Sequence, residues 1–118
     1  MYDRNNIFAK ILRGEIPCKK IYESEHALAF EDIHPKAPVH VLVVPKGEYV
    51  SLQDFSLHAP TAAVKGFFDA VAAVAKMLGV DKTGYRAIAN HGADASQEVP
   101  HFHVHIIGGR KLGKLLPE

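Results

Sequence analysis

Apolar positions along this 118-residue chain recur in two rhythms, one helical and one alternating. Ile7, Phe8, Ile11 and Leu12 are spaced for one face of a short helix. Asn5 or Asn6 can cap its start, and Gly14 and Pro17 stop it. KKIYES and HALAFEDI read as two short strands with a turn at Ser24 and Glu25. Pro38 and Pro45 cannot donate to a ladder, so they bracket a third strand from Val39 to Val44. Side chains alternate on a strand, which puts Val41 and Val43 on one face and His40, Leu42 and Val44 on the other. Val64, Phe67, Phe68, Val71, Val74, Ala75 and Leu78 form one stripe of a long helix from about Pro60 to Leu78, with Pro60 in its first turn and Gly79 at its end. GYRAIAN is a fourth strand, HGADASQEVP a polar loop, and HFHVHII a fifth strand closed by Gly108 and Gly109.

Helix, three strands, long helix, two strands is not the repeated alternation of a doubly wound parallel sheet. The order predicts an α+β domain with a mainly antiparallel five-stranded sheet, one short helix and one long helix.

Composition narrows the function classes. Apolar residues make up 47% and charged residues 23%, which is the balance of a globular chain, and the length suits one domain. Fourteen basic and thirteen acidic side chains leave a formal net charge of +1, which gives no reason to expect long nucleic acid as a partner. Cys18 is the single cysteine, so there is no internal disulfide and no cysteine-rich zinc site. MYDRNNIFAK lacks the apolar core of a signal peptide, and no apolar run approaches the ~18 residues of a membrane span. The expectation is a soluble, cytoplasmic protein with no membrane partner.

The strongest chemical signal is HFHVH, residues 101 to 105. On a strand, His101, His103 and His105 share one side, roughly 7 Å between neighbours, while Phe102, Val104 and Ile106 enter a core. Three readings stand. The histidines can be the ordinary polar face of a half-buried strand. They can ligate a metal, although three neighbours on a flat strand close poorly around an ion whose ligands lie ~2 Å away, and a pair would need His40 or His91 to help. Or they can do acid–base and nucleophilic work, which imidazole performs at neutral pH. The rarity of histidine favours chemistry. NHGADASQEVPH leads directly into the motif with small and polar residues, a loop able to turn backbone N–H groups toward an anion. Phosphorus is therefore the expected electrophile, attacked by an imidazole to give an N–P bond that water then cleaves. Neither GxxxxGK[ST] nor GxGxxG is present, so this is not a P-loop enzyme.

HFHVHII fits His-x-His-x-His-x-x with apolar x, the pattern of the histidine triad superfamily. IFAKILRGEIP, LAFEDIHPKAPVHVLVVPK, GYRAIANHG and SQEVPHFHVHIIGGR resemble its nucleotide-binding branch, and the tail GGRKLGKLLPE resembles the bacterial members. The likeness runs from about Asn6 onward, so it implies one domain over residues 6–118. It implies an α+β fold whose two subunits form a continuous ten-stranded sheet. It implies hydrolysis of phosphoramidates and acyl phosphates of purine nucleosides, without metal or cofactor, the alternatives being a nucleotide-binding regulatory module with weak catalysis or a dinucleoside polyphosphate hydrolase of a sister branch. By the same resemblance His103 is the nucleophile that forms a nucleotidyl-histidine, His105 contacts the phosphate and helps the leaving group depart, and His101 shares a hydrogen-bond network with His40. Asp32 meets the ribose hydroxyls. Ile7, Phe8, Ile11, Phe30, Ile33 and Leu42 lie against the base. Asn90, Gln97, Glu98 and Val99 stand near the phosphate, Val99 through its backbone N–H. His26, His34 and His58 read as surface histidines.

The chain departs from the family pattern in places. Ser96 stands where glycine usually precedes Gln97, and its Cβ restricts left-handed conformations. Pro100 replaces a common aromatic and removes a donor just before the triad. His91 and His34 are unusual where they stand, and Glu98 occupies a position that often carries a hydroxyl. These differences bear on rate and leaving-group preference.

Overall fold

The computed structural model describes residues 1–116, so the last two positions of the expected 6–118 domain lie outside the described residues. In chain order the elements are α1 (Ile7–Leu12), β1 (Lys20–Glu23), β2 (Ala27–Glu31), β3 (Val39–Pro45), α2 (Leu52–His58), α3 (Thr61–Met77), α4 (Val80–Thr83), β4 (Tyr85–Ile88) and β5 (Val104–Gly108), with a 3-10 turn at Ala93–Ala95. The chain forms the expected α+β fold, a five-stranded sheet in the order β1-β2-β3-β5-β4 with every pairing antiparallel. No helix among the described residues is long and apolar enough to cross a membrane.

Strand alternation splits the apolar residues into two cores. Ala27, Ala29, Val41, Val43, Val104 and Ile106 face α3, whose Phe67, Ala70, Val71, Val74 and Ala75 cover them. Leu28, Phe30, Leu42 and Val44 face the other way and pack with Phe8 of α1. α1 has only six residues, too few to persist alone, and is held by its cap and its contacts. The Asn6 side chain accepts from the Ala9 amide at 2.9 Å, and Phe8 meets Phe30 edge-on at 5.6 Å. This short helix covers one end of its face. The surface built by β3, β5 and β4 beyond it stays open, and that opening becomes the site.

Several expectations change in detail. Pro60 caps α3 from outside the helix, and Phe68 leaves the predicted stripe for solvent at 45% exposure, while Ala70 takes a buried place. Gly66 lies within α3 because a Cβ there would come 2.3 Å from the His26 ring, so His26 packs on the helix and is not a plain surface residue. α2 and α4 were not expected. The fifth strand starts late: the ladder with β3 begins at Val104, opposite Val43. His101 to His103 run on past it, where the Phe102 amide donates to the Tyr49 carbonyl at 2.7 Å.

Candidate active site

Antiparallel pairing of β3 and β5 sets Leu42 opposite His105 and His40 opposite Ile107, so His40 and His105 are diagonal neighbours on the open face. His103 continues that side two residues earlier, its ring 5.1 Å from that of His105 and edge-on to Phe8 at 4.9 Å. Asp32 arrives from the loop after β2, where its amide donates to the His40 carbonyl at 3.0 Å. Around these residues lies a cavity of about 470 Å³, lined by Phe8, Asp32, His34, Lys36, His40, Leu42, Ile88, Asn90, Ser96, Gln97, Glu98, Val99, His103, His105 and Ile107. A larger hollow of about 730 Å³ lies by the end of α3, with Arg86, Arg110 and Lys111 in its wall. The guanidinium groups of Arg86 and Arg110 there are committed to backbone carbonyls of the tail and of Lys36, and no histidine reaches it.

All four inner histidines are neutral at neutral pH. Desolvation pushes His101 down to about 4, against the opposing pull of the Pro45 carbonyl. Desolvation, then the neighbouring His103 and His40, brings His105 to about 4. Burial also lowers His103 and His40, with the His101 carbonyl opposing it in the first and Asp32 in the second.

Neutrality fixes the tautomers, because a carbonyl only accepts and an amide only donates. His103 Nδ1 is 2.7 Å from the His101 carbonyl oxygen, so Nδ1 carries the proton and Nε2 keeps its lone pair. The Lys36 amide donates to His40 Nδ1 at 3.0 Å, so the His40 proton is on Nε2. That nitrogen lies 2.9 Å from His105 Nδ1 and 3.3 Å from an Asp32 carboxylate oxygen. His105 Nδ1 therefore accepts, and the His105 proton sits on Nε2. Among the described residues no buried side-chain nitrogen or oxygen lacks a partner, so the Nε2 atoms of His103 and His105, which have none, are open to the cavity. The face thus offers a lone pair on one ring and an N–H on the next.

Asp32, His40 and His105 also bring possible metal-ligand atoms within 4.8 Å of one another. An ion there would need the Nε2 of His40 free of its proton, while the Lys36 amide already occupies Nδ1. In this arrangement the three form a proton-ordered chain, not a prepared ligand set.

The loop before the triad is stapled by Gln97. Its Oε1 accepts from the Gly92 amide at 3.0 Å, and its Nε2 donates to the carbonyls of Val50 at 2.7 Å and Val99 at 3.2 Å. Ser96 has φ of 55° and is the only non-glycine at positive φ among the described residues, so the position does demand a left-handed backbone despite the Cβ. Asp32 is held as well: one oxygen accepts from the His34 amide at 2.7 Å.

A family model described as the HIT domain matches residues 13–112. The chain belongs to the HIT domain family. An uncharacterised HIT-like protein of Azospirillum brasilense is 57% identical over 115 residues, covering 98% of this chain and 94% of that one. A protein of Escherichia coli K12 named purine nucleoside phosphoramidase is 38% identical over 110 residues, covering 93% of this chain and 92% of that one. Among solved structures, a HIT family hydrolase from Legionella pneumophila superposes with a TM-score of 0.85 at 34% identity, over 92% of this chain and 96% of that one.

This HIT domain gathers Asp32, His40, His103, His105, Phe8, Leu42, Asn90, Gln97, Glu98 and Val99 around one cavity. It does not bring the rest there. His101 is fully buried behind the triad, and its ring does not bond His40: Nε2 donates to the Pro45 carbonyl at 2.9 Å, and Nδ1 meets the Tyr2 hydroxyl. His40 pairs with His105 instead, because the β3–β5 register sets those two side by side. Phe30 is core beneath Phe8, since β2 lies one strand farther from the opening. Ile11 packs against that same core. Ile7 and Ile33 are exposed outside the cavity wall. Residues missed from sequence are His34, Lys36, Ile88 and Ile107 in the wall and Tyr2 behind it. Ile88 and Ile107 were legible from strand alternation once β4 and β5 are paired. Tyr2, which contacts a residue 99 positions away, carried no local signal.

Proposed function

We propose that this HIT domain hydrolyses phosphoramidates and acyl phosphates of purine nucleosides, releasing the nucleoside monophosphate through a nucleotidyl-histidine formed on His103. The observation that carries the reading is the tautomer of His103. Its Nδ1–H is held by the His101 carbonyl, which leaves the Nε2 lone pair toward the cavity beside the Nε2–H of His105. In the first step Nε2 bonds to phosphorus and the P–N bond breaks. The amine leaves after taking a proton, drawn from solvent through the His105 N–H. In the second step water bonds to phosphorus as the N–P bond breaks, the ring returns to its neutral form, and the water's proton passes out to solvent, balancing the one taken up in the first step.

The surroundings support a nucleotide ligand. Asp32 keeps acceptor capacity for vicinal hydroxyls after its bond to the His34 amide. Phe8 and Leu42, which line the cavity, offer apolar contact to a base. Asn90, Glu98 and Val99, which line the cavity, would lie near the phosphate, and Gln97, whose amide is committed to the loop, would shape that loop. The phosphoramidase name of the Escherichia coli relative supports the choice of bond. The domain is taken to run over 6–118, to act in the cytoplasm without cofactor, and to pair as a homodimer through one sheet edge.

Adenosine 5′-phosphoramidate tests the reading. Steady release of adenosine monophosphate is expected, with a quenched adduct mapping to residue 103. His103→Ala is expected to lower turnover by ~10³-fold or more while still binding the nucleotide. Undiminished turnover in that variant would overturn the nucleophile. Turnover confined to dinucleoside polyphosphates would overturn the substrate class alone.

A further inference from the structure

We infer that Tyr2 is a positioning residue for the nucleophile, holding His103 in its attacking tautomer by hydrogen-bonding through His101. The inference rests on the assignment of His103 as nucleophile made above.

The chain of contacts is continuous. The Tyr2 hydroxyl meets His101 Nδ1, and the phenol ring stands edge-on to the imidazole at 5.6 Å and 70°. On the opposite side of that ring, Nε2 is 2.9 Å from the Pro45 carbonyl at the end of β3. The carbonyl accepts only, so Nε2 carries the proton, Nδ1 accepts, and the phenol must donate. The ring has no solvent exposure, so no water stands in for either partner. One tautomer and one ring orientation satisfy both bonds. The carbonyl of this same residue then takes the Nδ1 proton of His103 at 2.7 Å.

Loss of the hydroxyl leaves a buried acceptor without a donor, which the ring can relieve only by turning or by moving its proton to Nδ1. The second choice sets a bare Nε2 against the Pro45 oxygen, lone pair to lone pair. Either response shifts residue 101 and loosens the carbonyl that orders His103. A proton released to Nε2 of His103 blocks attack on phosphorus. Tyr2 itself does not line the cavity, so substrate affinity is not its lever.

Tyr2→Phe removes the donor and keeps the ring. It is expected to lower kcat on adenosine 5′-phosphoramidate by about 10-fold or more, with KM within about two-fold of the parent. Two-bond proton–nitrogen correlations of the imidazoles should show His103 passing from a single Nδ1–H form to a mixture. In a His101→Phe background, which has no acceptor for the phenol, Tyr2→Phe should have no further effect on kcat. Circular dichroism verifies that each variant is folded. The inference is overturned if Tyr2→Phe keeps the parental kcat, if KM rises instead of kcat falling, or if its full effect persists in the His101→Phe background. Parental turnover in His103→Ala removes the nucleophile and the inference together, whereas loss of turnover there with a neutral Tyr2→Phe removes the inference alone.

Discussion

His101 shows how one residue type serves two purposes within five positions. Its neighbours in the triad face a cavity, yet its own ring is sealed and neutral, with its proton held on Nε2 by the Pro45 carbonyl. That burial has a consequence for stability. Desolvation lowers the folded-state value from 6.5 to about 4, so between those values the unfolded chain binds a proton that the folded chain refuses. Stability from this group is complete above pH ~6.5, falls as the pH drops, and is lost near the folded value, by at most ~3 kcal/mol. Urea denaturation across pH 4 to 8 checks this. His101→Gln, which can still donate and accept but does not titrate, should flatten the decline relative to the parent. The triad itself was readable from the alternation of HFHVH, because period-two spacing places three rings on one side. Which ring faces the cavity was not readable, since the backbone of residues 101 to 103 leaves the ladder to pair with the Tyr49 segment.

At the scale of elements, α2 illustrates a signal that periodicity does not register. Its seven residues hold one deeply buried side chain, Phe55, so no stripe can form. The readable signature was a cap: Ser51 accepts from the Asp54 amide at 3.1 Å, and Asp54 reaches back to the Val50 amide at 2.8 Å. Phe55 stacks on Phe102 at 5.1 Å and meets Phe67 at 5.2 Å, so α2 closes the core directly behind the triad. Phe55→Ala is expected to destabilise the fold by about 3–5 kcal/mol, measured as a shift in the urea midpoint. The five strands were legible because each alternates or is punctuated by proline, glycine or polar turns. α3 was legible from its stripe, apart from Phe68, whose ring points out to solvent at the stripe's edge.

For the whole molecule, the two free sheet edges differ in a way that decides how a dimer would form. β1 is irregular between Lys20 and Tyr22, and Lys20 and Glu23 are charged, features that protect an edge from pairing. β4 is regular, with Tyr85 and Ala87 exposed on it. Pairing of β4 with a second β4 would extend the sheet to ten strands. Sedimentation equilibrium should then give twice the chain mass of 12.9 kDa, and Ala87→Asp, which adds a charge to each facing strand, should shift the protein toward the monomer.

By itself the sequence determined the two periods, hence the strands, the long helix and the split of apolar residues between two sheet faces. It also placed three imidazoles on one extended segment. These are local properties, since spacing along a strand or helix fixes which side chains share a side. Tertiary structure alone decided which face stays open, that His40 bonds His105 and not His101, and that Tyr2 closes the back of the triad. Each of those depends on strand register and on contacts between residues far apart in the chain, where hydrogen-bond donors and acceptors find partners that no local pattern names.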